Sequence, residues 1–240
     1  VVLQARATTG AGHRAAGPVA GQAPAGSGLT VVDLGRSDYR DALARMRAFV
    51  DARIAARHGD RPDPGDQLWL TEHAPVFTLG RAARREHLHE TGDIAVVETE
   101  RGGHVTYHGP GQIVAYPLID LPRSGLGVRR YVCALEAAVI DTLSRAGVEG
   151  RRRDGAPGIY LPDGAKIASI GLKVSYGFTY HGLSLNVAMD LDPFSRIDPC
   201  GYAGLTVTDL TRARAALGLP GVDLAAIRDS LTEAIAARLC

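Results

Sequence analysis

The sequence predicts an α+β domain in which a mixed, largely antiparallel sheet is flanked by helices. Strand-like segments follow one another in clusters and do not alternate strictly with helical ones, which is the pattern of a segregated α+β fold. The apolar content is the second observation: 45% of the 240 residues are hydrophobic, enough to bury a substantial core. This length predicts one large domain or a domain with an appendage.

Three segments have the three-to-four apolar spacing of an amphipathic helix. The first starts after Ser37, a residue that can cap it, and is expected to end near His58. The second runs from about Val128 to Ala146, and the third begins at about Asp223. The apolar stripe of the first helix consists of Tyr39, Leu43, Met46, Val50 and Ile54.

Short apolar and β-branched runs predict the strands, and the polar run at 58–67 predicts a loop. Most of these runs succeed one another through short turns, so neighbouring strands are expected to pair as hairpins. The expected strands are residues 31–34, 68–70, 76–79, 94–97, 104–107, 113–118, 158–161, 166–174 and 182–187.

The first 28 residues differ in composition from the rest of the chain. They are rich in Ala, Gly and Pro and contain no acidic residue, so residues 1–28 are expected to be a disordered extension and residues 29–240 the folded domain. Two arginines in this segment weakly suggest an organelle transit peptide, but a dispensable extension explains it better. The three cysteines are too few and scattered for a disulfide framework, which favours reduced thiols and a cytoplasmic location.

The charge balance argues against nucleic-acid and membrane partners. A net charge of +1 gives no general attraction to a polyanion, and no segment approaches the ~18 apolar residues of a membrane-spanning helix. No heptad repeat predicts a coiled coil, so we expect a monomer. His104 and His108 would stand ~13 Å apart on a strand, and we therefore expect neither a metal site nor another cofactor.

Cys200 is the cysteine whose position suits a nucleophile. It lies between Pro199 and Gly201 and is therefore expected on a loop, whereas Cys133 falls beside the apolar stripe of a helix and Cys240 is the last residue. A thiol with a pKa near 8.5 needs a partner that removes its proton or stabilises its charge. The candidate partners are His73, His108, His181, Lys166 and Lys173.

Lysine is rare in this chain, since only Lys166 and Lys173 occur among the 27 basic residues. Arginine keeps its proton, whereas a desolvated lysine can release it, so a lysine in an arginine-rich chain can mark a site of proton transfer. The two lysines are seven residues apart in one predicted strand and therefore face opposite sides. Only one of them can point into a shared pocket.

Residues 100–112, ERGGHVTYHGPGQ, form the most unusual segment of the sequence. It matches neither a GxGxxG loop nor a P-loop, so phosphate binding is not indicated. Its glycines, Gly102, Gly103, Gly109 and Gly111, would let the backbone approach a ligand closely. A plain β-hairpin with glycine turns explains the same residues.

Five segments resemble, in the same order, motifs of the lipoyl(octanoyl) transferase family. They are EHAPVFTLG (72–80), RGGHVTYHGPGQ (101–112), GAKIASIGLKV (164–174), HGLSLNV (181–187) and DPCGYAG (198–204). The resemblance implies the fold of biotin and lipoate protein ligases and an acyltransferase activity. The implied donor is octanoyl-acyl carrier protein, and the implied acceptor is a lysine on the lipoyl domains of 2-oxoacid dehydrogenase complexes or on the glycine cleavage H protein.

The resemblance also implies roles for individual residues. The family's acyl-forming cysteine falls on Cys200 and its paired lysine on Lys166, which leaves Lys173 without a role. The implied substrate-binding residues are Arg101, Gly102, Gly103, His104, Val105, Thr106, Tyr107, His108, Ser169, Ile170, Gly171, Gly182, Leu183 and Ser184.

Several alternatives stay open at this level. Lys166 could act as a neutral base toward the incoming amine, or as an ammonium ion that stabilises the Cys200 thiolate. An ATP-dependent lipoate or biotin ligase would share the fold and need no nucleophilic cysteine. A non-catalytic acyl- or protein-binding module would contain Cys200 as an ordinary packed loop residue.

Overall fold

A computed structural model describes residues 19–21, 28–59, 61–199 and 204–239. Cys200, Cys240 and most of the predicted 1–28 extension lie outside these ranges. Within that extension, Val19–Gly21 form strand β1, which pairs antiparallel with the strand that follows it. The division of the chain at residue 28 stays a prediction.

The described residues form ten strands and five α-helices. The strands are β1 Val19–Gly21, β2 Leu29–Ser37, β3 Asp66–His73, β4 Val76–Leu79, β5 Ala95–Glu98, β6 Val105–His108, β7 Gln112–Leu118, β8 Gly158–Tyr160, β9 Lys166–Ser175 and β10 Phe178–Asn186. The helices are α1 Tyr39–Arg57, α2 Leu121–Ser124, α3 Val128–Arg145, α4 Leu210–Ala216 and α5 Leu224–Leu239. None of these helices has the length and apolar character needed to cross a bilayer.

The strands form two sheets. The larger sheet has the order β1-β2-β3-β7-β10-β9-β8, and the smaller has the order β5-β4-β6. Pairing is parallel between β2 and β3 and between β4 and β5, and the other pairs in these sheets are antiparallel. The predicted mixed, largely antiparallel sheet flanked by helices is therefore confirmed.

The large sheet is covered on both faces. Strand β7 shows the alternation: Ile113 and Ala115 belong to the apolar cluster shared with α3 and α5, whereas Val114 and Tyr116 belong to the cluster shared with α1. A third cluster, which includes Phe77, lies around the small sheet. Because both faces are buried, β7 is apolar at almost every position.

The structure corrects the start of the first helix and the composition of its buried face. Asp38, not Ser37, is the N-cap, and its carboxylate accepts hydrogen bonds from the backbone N–H groups of Arg40 and Asp41. Ser37 is the last residue of β2. The buried face of α1 also includes Arg53, a residue that an apolar pattern does not reveal.

Arg53 is 1% exposed and is a charged side chain buried between α1 and the large sheet. Its guanidinium donates to the Asp63 carboxylate at 2.9 Å, to the Asp66 carboxylate at 2.7 Å and to the Leu118 carbonyl at 3.0 Å. A buried cation with these partners ties α1 to the start of β3 and the end of β7. Asp63 and Asp66 are only ten and thirteen residues from Arg53 in the sequence. Leu118 is 65 residues away, and only the folded sheet brings its carbonyl to Arg53.

We expect Arg53→Met to lower the free energy of unfolding by about 3 kcal/mol, because it leaves buried acceptors without their donor. Arg40→Met is the matched control, since Arg40 is exposed on the same helix and should change stability by less than about 0.5 kcal/mol. Urea denaturation of both variants measures the difference. Equal losses in the two variants would contradict this role of Arg53.

Candidate functional site

A cavity of about 320 Å³ lies between the large sheet and the segment that leads into β6. Its walls come from β6, β7, β9, β10, the start of α1 and the start of α3. All the substrate-binding residues expected from the sequence line it except Tyr107. The other lining residues are Tyr39, Val114, Tyr116, Val128, Val132, Gly155, Ala156, Pro157, Lys166, Leu172, His181 and Pro199.

Tyr107 is the exception because its side chain packs behind the cavity wall. It is buried in the third apolar cluster, with its ring 5.5 Å from the ring of Phe77 and 5.5 Å from that of Phe194. The structure therefore places Tyr107 in the packing behind the wall, whereas its neighbours Thr106 and His108 line the cavity.

The glycine segment is fastened to β9 by its backbone. The N–H of Gly102 donates to the Leu172 carbonyl at 2.8 Å. Gly171 lies at this contact, and a Cβ there would be 3.0 Å from the Gly102 carbonyl oxygen, closer than side chains normally allow. Gly102 and Gly103 line the cavity, whereas Gly109 and Gly111 do not.

Arg101 supports the same segment from within. Its side chain is buried and donates to the Gly102 carbonyl at 3.0 Å, the Thr78 carbonyl at 2.8 Å and the His104 carbonyl at 2.9 Å. These bonds hold the turn 101–104 in shape and connect it to β4. Arg101 thus lines the cavity and also fixes the backbone of its wall.

Lys166 is 3% exposed, although it is one of only two lysines in the chain. Its side-chain nitrogen, Nζ, donates to the Pro157 carbonyl at 3.1 Å and lies 5.2 Å from the centre of the Tyr160 ring. Gly158 makes room for it: Gly158 has φ +128°, and a Cβ there would lie 2.9 Å from Cε and 3.1 Å from Nζ of Lys166. Lys173 is half-buried and does not line the cavity.

The backbone of Lys166 pairs with the segment that follows the cysteine motif. Its N–H donates to the Thr206 carbonyl at 2.8 Å, and its carbonyl accepts from the N–H of Thr208 at 2.9 Å. On the other side of that motif, Pro199 lines the cavity. The described residues that flank 200–203 thus approach the cavity and Lys166, while Cys200 itself lies outside the described residues.

A hydrogen-bonded chain connects the interior of the cavity with that segment. Nδ1 of His108 is 2.7 Å from Oε1 of Gln112, whose Nε2 donates to Oδ1 of Asn186 at 2.9 Å. Asn186 in turn donates to the Thr208 carbonyl at 3.0 Å. Since the Gln112 oxygen can only accept, His108 carries its proton on Nδ1. Through this chain, the cavity wall helps to hold Thr208, whose N–H bonds to the Lys166 carbonyl.

Sequence reasoning missed the aromatic residues at the end of the cavity away from Lys166. Tyr39 stacks on His108 with a 5.6 Å ring separation, and Tyr116 shares a 2.6 Å hydrogen bond with Nε2 of His73. Nδ1 of His73 lies 3.0 Å from the Ser37 carbonyl and so must be the donor, which makes Tyr116 the donor to Nε2. The buried helix start at Tyr39 was visible in the sequence, but its contact with His108 was not.

His181 lies at the same end. It pairs with Leu172, six residues along β9 from Lys166, a separation of ~20 Å along the strand. His181 is 1% exposed with φ +59°, and neither ring nitrogen has a hydrogen-bond partner among the described residues. Its Nε2 is 4.0 Å from Oε1 of Glu100. His181 and Lys166 therefore lie at opposite ends of the cavity.

Burial controls the protonation of the three inner histidines. It lowers the pKa of His73 to about 4, and those of His108 and His181 to about 3. Burial by itself would raise the pKa of Glu100, but the hydrogen bonds from Arg47 and from the backbone, together with the positive charge of Arg47, outweigh it and the pKa falls to about 2. At neutral pH the inner end of the cavity therefore has neutral imidazoles. Within the described ranges no group of three His, Cys, Asp or Glu side chains could hold a metal ion.

The chain is similar to known proteins over most of its length. The family model "Lipoyl protein ligase A/B catalytic domain" matches residues 38–236. A protein of Alkalilimnicola ehrlichii named octanoyltransferase is 56% identical over 177 residues, 74% of this chain and 79% of its own length. An octanoyltransferase of Xanthomonas euvesicatoria pv. vesicatoria is 52% identical over 196 residues, 82% of this chain and 81% of its own length.

Among solved structures, lipoate-protein ligase A bound with ATP has a similar fold. It superposes with a TM-score of 0.63 over 89% of this chain and 85% of its own, at 15% sequence identity. This likeness supports the fold that the sequence motifs imply.

We expect the three inner histidines, His73, His108 and His181, to make the free energy of unfolding depend on pH. The unfolded chain takes up protons near the ordinary histidine pKa of 6.5, whereas the folded chain accepts them only near 3 to 4. Their contribution is thus complete above pH 6.5 and is lost as the pH falls, by up to roughly 1.4 kcal/mol per pH unit for each histidine. Urea midpoints should fall between pH 7 and pH 5.

His181→Asn should make this fall shallower, because asparagine tolerates the positive φ and removes one titrating group. The exposed His58→Asn serves as the control and should leave the slope unchanged. The interpretation is wrong if both variants follow the parent protein.

Proposed function

Because the chain belongs to the lipoyl protein ligase A/B catalytic domain family, we propose that it transfers an octanoyl group from octanoyl-acyl carrier protein to a lysine of lipoyl domains. The acceptors would be the lipoyl domains of 2-oxoacid dehydrogenase complexes and the glycine cleavage H protein. The chain is an acyltransferase, and the observation that carries this assignment is its 52–56% identity to octanoyltransferases over 74–82% of its length.

The cavity has the character that an acyl chain requires. Val105, Val114, Ile170, Leu172 and Leu183 contribute apolar atoms to its wall. Inner polar groups such as Arg101 and His108 are occupied by hydrogen bonds within the protein. Each methylene buried there stabilises the complex by about 0.8 kcal/mol, so chain lengths should be discriminated only modestly.

In the first half-reaction, the Cys200 thiolate attacks the carbonyl carbon of the carrier thioester. A carbon–sulfur bond to Cys200 forms as the bond to the phosphopantetheine sulfur breaks, and the departing thiolate takes up the proton that the Cys200 thiol gave up. This proposal is supported by the loop position of Cys200 in the sequence and by Pro199, which lines the cavity one residue before it. The carbonyl would then lie near the Lys166 end of the cavity.

In the second half-reaction, the target lysine must lose its proton before its amine can attack the acyl-cysteine. The neutral amine nitrogen forms the amide bond as the carbon–sulfur bond to Cys200 breaks, and the departing sulfur takes up the second proton of that nitrogen, which restores the Cys200 thiol. Lys166 is the proposed proton acceptor, because it is buried at the cavity wall and is one of two lysines in the chain. Its contact with the Pro157 carbonyl fixes the direction of its amine.

Cys200→Ala should abolish the octanoyl adduct that intact-protein mass spectrometry detects after mixing the enzyme with octanoyl-acyl carrier protein. Cys133→Ala is the matched control, since Cys133 is exposed on α3 and should leave the adduct unchanged. An adduct in both variants, or in neither of them nor in the parent, would contradict the covalent route. Transfer that requires ATP and free octanoate, and persists in Cys200→Ala, would identify a ligase instead.

Lys166→Arg should lower the rate of transfer to the lipoyl domain by about 100-fold or more, because arginine keeps the charge but does not release its proton. Lys173→Arg should retain activity, since Lys173 does not line the cavity. Single-turnover transfer from the pre-acylated enzyme measures this step separately from acylation. Full activity of Lys166→Arg would contradict the proton-transfer role and would mean that Lys166 contributes only its positive charge.

A further inference from the structure

A β-bulge places Lys166 directly opposite Tyr160 on the neighbouring strand. Strands β8 and β9 pair Ile159 with Ala168 and then Tyr160 with Lys166, so β9 contains one extra residue, Ile167, between the two pairs. A bulge of this kind changes the direction of the side chains beside it and often occurs next to active sites. In a regular ladder Tyr160 would lie opposite Ile167. The irregular pairing therefore brings the tyrosine ring to the lysine.

The backbone holds Tyr160 on both sides. On the side away from β9, its N–H donates to the Arg151 carbonyl at 2.9 Å, and its carbonyl accepts from the N–H of Arg151 at 2.7 Å. Tyr160 is also only 3% exposed. Since its backbone is bonded at both edges and its side chain is buried, the ring has a fixed position relative to Lys166.

The face of the Tyr160 ring is the part that meets Lys166. Nζ lies over the ring at 5.2 Å from its centre, which is within the ~6 Å reach of a cation–π interaction. The face of an aromatic ring is its electron-rich side and attracts positive charge. Both residues are buried, and a cation–π interaction is stronger where water is excluded. The ring therefore favours a charged Nζ over a neutral one.

The hydroxyl group does not explain why a tyrosine occupies this position. Its oxygen is buried and has no hydrogen-bond partner among the described residues, an arrangement that costs stability. The guanidinium of Arg153 also lies over the ring, at 5.8 Å from its centre. Arg153 is exposed, so its contact with the ring is the weaker of the two.

The Pro157 carbonyl adds to the effect of the ring. It accepts a hydrogen bond from Nζ at 3.1 Å, and a carbonyl oxygen also favours positive charge on its donor. Two of the contacts of Nζ thus become stronger when Lys166 gains a proton. An interaction that strengthens as the reaction proceeds lowers the barrier of that step.

We propose that Tyr160 is a positioning residue for Lys166: its ring face holds Nζ at the cavity wall and stabilises the charge that Lys166 gains during transfer to the lipoyl domain. The inference rests on the proposed function, in which Lys166 takes a proton from the target lysine. An N–H bond of the target ammonium breaks and an N–H bond forms at Nζ, so the positive charge moves onto Lys166. Lys166 releases this proton to the solvent after the amide has formed.

The test replaces Tyr160 by phenylalanine and by phenylalanines that carry one, two and three ring fluorines. Fluorine withdraws electron density from the ring face and changes the shape of the ring little, so the attraction for a cation weakens stepwise. Single-turnover transfer from the pre-acylated enzyme should stay within about threefold of the parent in Tyr160→Phe. It should then fall with each fluorine, to about tenfold below Tyr160→Phe at three fluorines. The octanoyl adduct should form in every variant.

Phe178 is the matched control for the same fluorinated residues. It is also a buried ring with a cation over its face, since the Arg57 guanidinium lies 4.1 Å from its centre, but it does not line the cavity. Fluorination at Phe178 should leave the transfer rate within about twofold of the parent, because the weakened contact is remote from Lys166. Urea denaturation measures the effect of each replacement on stability separately.

A transfer rate that is the same across the fluorinated series would overturn the role of the ring face. A loss in Tyr160→Phe that does not deepen with fluorination would assign the effect to the hydroxyl and overturn it too, as would equal losses at Phe178. Failure of the proposed function has a different signature. In that case Lys166→Arg transfers at the full rate or the parent enzyme forms no adduct, whatever residue stands at position 160.

Discussion

The cavity depends on a close approach of two backbones, where the N–H of Gly102 meets the carbonyl of Leu172 at 2.8 Å. This bond fastens the turn before β6 to β9 and so connects the small sheet with the large one. Gly171 permits it, because a Cβ there would lie 3.0 Å from the Gly102 carbonyl. The width of the cavity is therefore set by main-chain contact, which varies less than side-chain packing.

The polar groups of the cavity wall serve mainly to build the protein. Arg101 holds the turn 101–104, His108 is bonded to Gln112, and Tyr116 to His73. Burial keeps these histidines neutral, so the inner end carries little charge despite its polar composition. Charged groups lie outside the apolar space, where Arg151 is paired with Glu149 and Arg152 with Glu136. This division suits a protein that takes an apolar group from one partner and passes it to another.

Lys166 joins these two regions. Its side chain is buried under Tyr160 and Pro157, and its backbone pairs with residues 206–208 as an extension of β9. The bond from Asn186 to Thr208 links the same segment to the inner wall of the cavity. The glycine segment, His108 and β9 are distant in sequence but are thus connected with the backbone partners of Lys166 through hydrogen bonds.

Much of this architecture could be predicted from local patterns. Helices α1, α3 and α5 and most of the strands follow from apolar spacing. The substrate-binding residues that the motifs implied line the cavity, with Tyr107 as the exception, but the motifs did not name Tyr39 and Tyr116. The short helices α2 and α4 were missed because four and seven residues give too little periodicity. The N-cap of α1 was predicted one residue too early, at Ser37, because Ser37 and Asp38 are both good caps. Only the pairing of β2 with β3 shows that Ser37 belongs to a strand.

The sequence by itself determined the class of fold, the family motifs and the two lysines as rare residues, because these depend on residue type and spacing along the chain. Only the tertiary structure decided that Lys166 is buried at the cavity while Lys173 is not, and that Arg152 pairs with Glu136 on α3. Burial, hydrogen bonding and charge at these positions come from segments that are distant in sequence. No local pattern contains them.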